Sequence, residues 1–261
     1  MLNMLDKQAL FALGISVLAG MSTLLGALII FITDSKSERT ITLSLGFAAG
    51  VMISVTFTDL FPGSQNFFFE AVGQKKGILL SVLFLIMGIL IGMGIDYFVP
   101  HEEYDEENQE KPHQNLYRVG FVSMMAIMLH NFPEGIATFM AGYQDITLGI
   151  TIAIAITLHN IPEGISVALP IYFATGSKKQ ALKYTFLSGI AEPVGAFLAF
   201  IVLRPFINDL VLGAIFGIVG GIMLYISLEE LIPSSRQYGY KRLALFSTFA
   251  GICLMPLSHL F

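Results

Sequence analysis

The 261-residue chain is 55% hydrophobic and 13% charged, with a mean hydropathy of +0.74; a soluble domain carries about 25% charged residues, so this is the composition of a membrane protein. The formal net charge of −5 comes without a basic stripe, which leaves no electrostatic footprint for nucleic acid. The one cysteine, Cys253, excludes an intramolecular disulfide and a Cys-rich metal centre, and reads as a small packing residue of the last apolar helix.

Taken in chain order, the apolar run over residues 9–32 is longer than the roughly 7–15 residues of a signal-peptide core and is expected to be the first span. A bilayer core takes about 20 apolar residues per helix. That window predicts an all-α membrane protein with eight transmembrane helices, at about 10–32, 41–62, 77–100, 118–142, 146–170, 181–203, 209–233 and 241–260. Connections are short except for 101–117, HEEYDEENQEKPHQNLY, an acidic segment expected to be a flexible loop. No second domain is left over, so residues 1–261 read as a single integral-membrane domain.

Lys and Arg placement predicts the orientation. Alternate loops hold Lys36, Arg39, Lys111, Arg118, Lys178, Lys179, Lys183, Arg236, Lys241 and Arg242; the other side holds Lys7, Lys75, Lys76 and Arg204, which accounts for all 14. The richer set is expected to be cytoplasmic, which makes 101–117 a cytoplasmic loop and puts both termini outside. Residues 45–62 align without gaps on 216–233, with Gly46/Gly217, Gly50/Gly221, Met52/Met223, Leu60/Leu231 and Pro62/Pro233 identical. Spans two and seven run in opposite directions, as do four and five, which is the pattern of inverted repeats with a site near the midplane. The pairs Gly46/Gly50, Gly88/Gly92 and Gly217/Gly221 are small-residue ridges for close helix contact and carry no chemistry.

The chemistry lies in a doubled motif. His130-Asn131-Phe132-Pro133-Glu134-Gly135 in span four returns as His159-Asn160-Ile161-Pro162-Glu163-Gly164 in span five. In each copy His and Glu are four residues apart, on one helical face. Each Pro lacks an amide donor and crowds the carbonyl four residues back, Leu129 or Leu158, so a local distortion is expected beside each His. Imidazole, amide and carboxylate together suit divalent transition metals such as zinc, iron or manganese. Residues 119–177 contain no Lys or Arg, yet Glu134 and Glu163 fall at the centres of their spans and Glu192 at the centre of span six. An uncompensated carboxylate at that depth costs at least ~2.5 kcal/mol, so these acids are expected to be protonated or to hold a bound cation. Asp59, Asp96, Glu229 and Glu230 lie nearer span ends; a solvated end accounts for them at least as well as a place in an ion pathway. Met52 is expected to pack, and His101 and His113 to sit in a solvated acidic loop.

The doubled His-Asn-x-Pro-Glu-Gly motif, with Ser44-Leu45-Gly46-Phe47-Ala48-Ala49-Gly50 in span two and Ser188-Gly189-Ile190-Ala191-Glu192 in span six, resembles the ZIP (Zrt/Irt-like) family of metal transporters. The resemblance covers essentially the whole chain. It implies eight helices in a 3+2+3 arrangement around a binuclear site. His130, Asn131 and Glu134 would ligate from span four and His159, Asn160 and Glu163 from span five, with Glu192 completing the second position. Glu134 and Glu163 would bridge, and Met52 matches a further proposed ligand position. The family is described as importing Zn²⁺, often with Fe²⁺, Mn²⁺, Co²⁺ or Cd²⁺, by an elevator-like movement against a dimer-forming scaffold. The long loop departs from many relatives in being acidic rather than His-rich.

The expected function is therefore multi-pass divalent-metal uptake across the cell membrane, with the metal as cargo, no prosthetic group, and a homodimer in the lipid bilayer. No G-x-x-x-x-G-K-[ST] motif is present, so ATP is not the direct driving force. The metal gradient and the membrane potential, worth ~2.3 kcal/mol per charge per 100 mV, are. The alternatives are an intramembrane dinuclear metalloenzyme, against which stands the lack of a His-Glu-x-x-His motif, and a cation channel.

Overall fold

Polar side chains begin the helices wherever a turn needs closing. Ser37, Asp145, Ser177 and Asn208 accept hydrogen bonds from the backbone amides of Thr40, Leu148, Gln180 and Val211, satisfying donors that a helix start leaves open. Gly73 and Gly176, at φ +81° and +66°, end two helices in conformations that side chains with a Cβ avoid. The computed structural model describes residues 7–32, 37–98, 114–203 and 208–258. Among them the secondary structure is all helical, in eight stretches: α1 (Lys7–Phe31), α2 (Glu38–Val72), α3 (Gln74–Phe98), α4 (Gln114–Gln144), α5 (Ile146–Thr175), α6 (Lys178–Val202), α7 (Asp209–Arg236) and α8 (Lys241–Ser258), of which α6 is broken once, at Ile190.

Six of these are long and apolar enough to cross a bilayer. In α4 the apolar run is diluted by His130, Asn131, Pro133 and Glu134, and α8 is described over 18 residues that open on Lys241 and Arg242. The acidic segment 101–117 lies up to residue 113 outside the described residues, with His101, Lys111 and His113; so do Lys36, Arg204 and His259.

In space the helices sort into two four-membered bundles. Helices α1, α4, α5 and α6 pack on one another, and so do α2, α3, α7 and α8; α2 against α5 and α4 against α7 form the junction. The central pair of the 3+2+3 order, α4 and α5, packs with α1 and α6. The glycine ridges behave as packing devices: a Cβ on Gly50 would strike the Thr248 carbonyl of α8, and one on Gly88 the Ile218 carbonyl of α7.

Pro133 and Pro162 leave α4 and α5 helical throughout, so the expected distortion does not interrupt either helix. Widened turns occur elsewhere. Thr56–Leu60 in α2 and Ser227–Leu231 in α7 are π-helical, each directly before the turn that holds Pro62 or Pro233. A proline ring crowds the carbonyl four residues back, and a wider turn relieves it. These two of the three π turns among the described residues (the third, Ala199–Leu203, is at the end of α6) occupy equivalent positions of the aligned segments 45–62 and 216–233, so the repeat extends from sequence into backbone shape. Cys253 is exposed on α8, not packed inside as its sequence context suggests.

Lys7, Lys75 and Lys76 lie at one end of the molecule, and the other carries most of the described basic residues. Arg39 stacks over Tyr240, Lys178 over Phe31, and Arg118 reaches the ends of α3 and α7. Just inside that end, Leu45, Met52, Leu116, Val119, Ile171 and Ile226 belong to one fully buried apolar cluster spanning both bundles.

Candidate metal site

Antiparallel α4 and α5 turn the two copies of the motif toward each other. Glu134 Oε1 lies 3.0 Å from His130 Nε2 on its own helix and 2.9 Å from His159 Nε2 on α5. Glu163 Oε1 lies 3.4 Å from His130 Nε2, and the imidazole centroids are 6.0 Å apart. One ligand atom each from His130, Glu134 and His159 falls within 4.8 Å of the others, and all three residues are buried.

Glu192 arrives from α6 through a local break. Pro193 has no amide to return to Gly189, and the helix is interrupted at Ile190. Gly135 makes the approach possible: a Cβ there would meet the Glu192 carbonyl, and a Cβ on Gly195 would meet that of Phe132. Gly164 does the same for α1, where its Cβ would strike the Thr23 carbonyl. The glycine closing each motif therefore seats a neighbouring helix. The Asn160 amide donates to Glu192 Oε2 and to the Ala19 carbonyl, 3.0 Å each, and the Asn131 amide donates to the Ser188 carbonyl at 3.1 Å.

What remains unsatisfied is informative. Both carboxylate oxygens of Glu163, Oε2 of Glu134, Oε1 of Glu192 and the amide oxygens of Asn131 and Asn160 are buried without a hydrogen-bond partner. Buried polar atoms are normally paired, and a native structure leaves only a few exceptions per hundred residues. Here six acceptors from three helices gather beside two imidazoles, five of them in a stretch, 119–177, without Lys or Arg. Such a set is a poor structural network and a good cation receptacle. With bonds of roughly 2.0–2.1 Å to N and O, neighbouring ligands of a tetrahedral zinc stand about 3.3 Å apart, so spacings of this size need only small rotations.

A cavity of about 620 Å³ reaches Glu134 and His159. Its walls include Asp59, Gln144, Asn208 and Asp209, so it opens at the end opposite most of the basic residues. Asp59, half buried and accepting a hydrogen bond from Thr58, is thus a cavity wall beside the candidate site. Glu229 is exposed, as a solvated span end would be. Asp96 and Glu230 are not solvated: both are buried and share the guanidinium of Arg118. Met52 packs in the apolar cluster. Sequence reasoning missed Arg118, which it counted as a loop charge, and Gln144, Asn208 and Asp209, which only the folding of α4 and α7 brings to one cavity.

A family model described as ZIP Zinc transporter matches residues 98–258. The protein named zinc transporter ZupT from Streptococcus mutans is 47% identical over 261 residues, covering 97% of this chain and 98% of that relative. Proteins of the same name from Oceanobacillus iheyensis and Chlorobaculum parvum are each 42% identical, over 96% and 98% of this chain and 97% and 99% of the relatives.

Proposed function

The chain belongs to the family of ZIP zinc transporters, which are transporters and not enzymes, and from that membership we propose that it imports divalent transition metals, Zn²⁺ foremost, across the cell membrane into the cytoplasm. In this reading α1–α8 are eight spans with both termini outside, the basic end is cytoplasmic, and the cavity is the outer vestibule of an outward-open carrier working as a homodimer. Fe²⁺, Mn²⁺, Co²⁺ and Cd²⁺ share the route, because the same N/O donors accept most first-row ions and geometry and supply set the preference. Metal loses its water to His130, Asn131, Glu134, His159, Asn160, Glu163 and Glu192 as a binuclear set, and alternating access then opens the site inward.

The observation that carries this reading is the group of buried, unpartnered carboxylate and amide oxygens beside two imidazoles at the floor of the vestibule. A pair of passing dications satisfies them; no basic side chain of residues 119–177 exists to do so. The closed apolar cluster behind them supports an inner end that is shut in this conformation. The test is Zn²⁺ uptake by the purified chain in liposomes under an inside-negative potential, with the other four ions as competitors. Saturable, competed uptake is expected, and rates equal to protein-free liposomes would end the proposal.

Asp59 supplies charge at the vestibule wall without belonging to the ligand set. Asp59→Asn is expected to raise the KM for Zn²⁺ about two- to fivefold with kcat nearly unchanged, the pattern of a lost steering charge. Measured uptake curves at low ionic strength check it; a collapse of kcat instead would make Asp59 a ligand.

A further inference from the structure

We propose that Arg118 is a tethered inner gate: its guanidinium plugs a cation station made by Asp96 and Glu230, and must withdraw before metal can leave toward the cytoplasm. The inference rests on the uptake reading above for its direction. Its geometry is independent of the candidate metal site.

Arg118 stands near the start of α4, in the bundle that carries His130 and Glu134. Both acids belong to the other bundle, Asp96 on α3 and Glu230 in the π turn of α7. Arg118 Nη1 lies 2.6 Å from Glu230 Oε1, Nη2 pairs with Asp96, and the Tyr225 hydroxyl donates to Asp96 Oδ2 at 3.1 Å. The three charged side chains are only 11%, 12% and 5% exposed for Arg118, Asp96 and Glu230. A buried charged link across the junction of two bundles resists their relative movement, because separating it strands charges away from water.

The repeat says what the acids are for. Glu230 is the counterpart of Asp59 in the aligned segments, and each sits in the equivalent π turn. Asp59 lines the cavity that is open. Inverted repeats exchange the roles of the two ends as access alternates, so Glu230 belongs to the cavity that opens next. In the present conformation the protein's own cation fills that place. Asp96 and Glu230 together carry two negative charges, of which the guanidinium cancels one; a dication in the guanidinium's place cancels both. Metal is thus fitted both to release the gate and to replace it.

Two measurements test this in the full chain carrying Cys253→Ser. The first places a reporter thiol behind the gate, Val122→Cys, one turn above Arg118 and fully buried. Its labelling by a membrane-impermeant thiosulfonate applied from the cytoplasmic side is expected to rise at least about tenfold when Arg118→Met, Asp96→Asn and Glu230→Gln are combined, since the closed state loses its charged link without leaving a bare charge. Unchanged labelling would overturn the gate. The second pairs Asp96→Cys with Arg118→Cys and joins them with a short cleavable bis-thiosulfonate. Zn²⁺ uptake is expected to stop on linking and return on reduction, and linked protein that transports at the reduced rate would overturn the proposal. If the unaltered chain moves no zinc, the uptake reading fails, whereas the labelling result still decides whether Arg118 closes that end.

Discussion

Glu134→Ala is expected to reduce Zn²⁺ uptake by more than about 100-fold, because a partner one layer removed from a metal already costs roughly 10–100-fold when lost. Glu134 is the acid that touches both imidazoles, at 3.0 Å and 2.9 Å. No neighbouring cation can move in to compensate its loss. Glu163→Ala is expected to match it, since both oxygens of Glu163 are buried without a hydrogen bond and Oε1 faces His130 Nε2 at 3.4 Å. The informative companion is Glu134→Gln, which keeps the volume and a hydrogen-bonding group but not the charge. It should transport no better than Glu134→Ala, and should lose stoichiometric Zn²⁺ binding measured by calorimetry in detergent. If Glu134→Gln transported at near the normal rate, the carboxylate would be a structural partner of the histidines and the proposed ligand set would be wrong.

Gly135→Ala is expected to be nearly as damaging, by a different route. A methyl group there would overlap the main-chain carbonyl of Glu192, and a carbonyl inside a helix cannot rotate away. Overpacking of this kind costs about 1–3 kcal/mol or more, and here it must be relieved by parting α4 from α6. Glu192 would move off the Asn160 amide, now at 3.0 Å, so the variant should lose Zn²⁺ affinity and unfold at lower temperature. Gly14→Ala is the matching control: a Cβ there meets nothing within 4 Å, and alanine favours the helix by roughly 0.8–1.0 kcal/mol. Equal thermal stability and zinc affinity for the two variants would remove close helix contact as the reason for the motif's glycine.

The contrast between these two glycines also marks how far the linear chain can be read. His130 and Glu134 share a face because an α-helix turns every 3.6 residues, and that holds wherever the helix ends up. Period and spacing therefore made the paired imidazoles and acids legible at once, as did the small-residue ridges and the all-helical membrane character. Gly135 closes the doubled motif and reads from sequence as a place of close approach, whereas Gly14 belongs to no motif. That the approaching group is the Glu192 carbonyl of α6, and that Gly14 faces open space, only the fold shows. Asp96 and Glu230 misled for a related reason: position near a span end suggests water, but a guanidinium from a helix 22 residues beyond Asp96 in the chain replaces it. The π turns had a local cause, Pro62 and Pro233, yet the same residue type leaves α4 and α5 helical at Pro133 and Pro162.

What the residues determined by themselves is the set of helices, the donor chemistry of the doubled motif and the absence of any basic partner for its acids. These follow from hydropathy, helical period and charge, all of which act within a turn or two. Which bundle each helix joins, which carboxylates gather at the candidate site and which meet Arg118, and which end the cavity faces were decided by packing between helices far apart in the chain. Such contacts depend on shape complementarity at van der Waals distance, and no local pattern of residues carries that information.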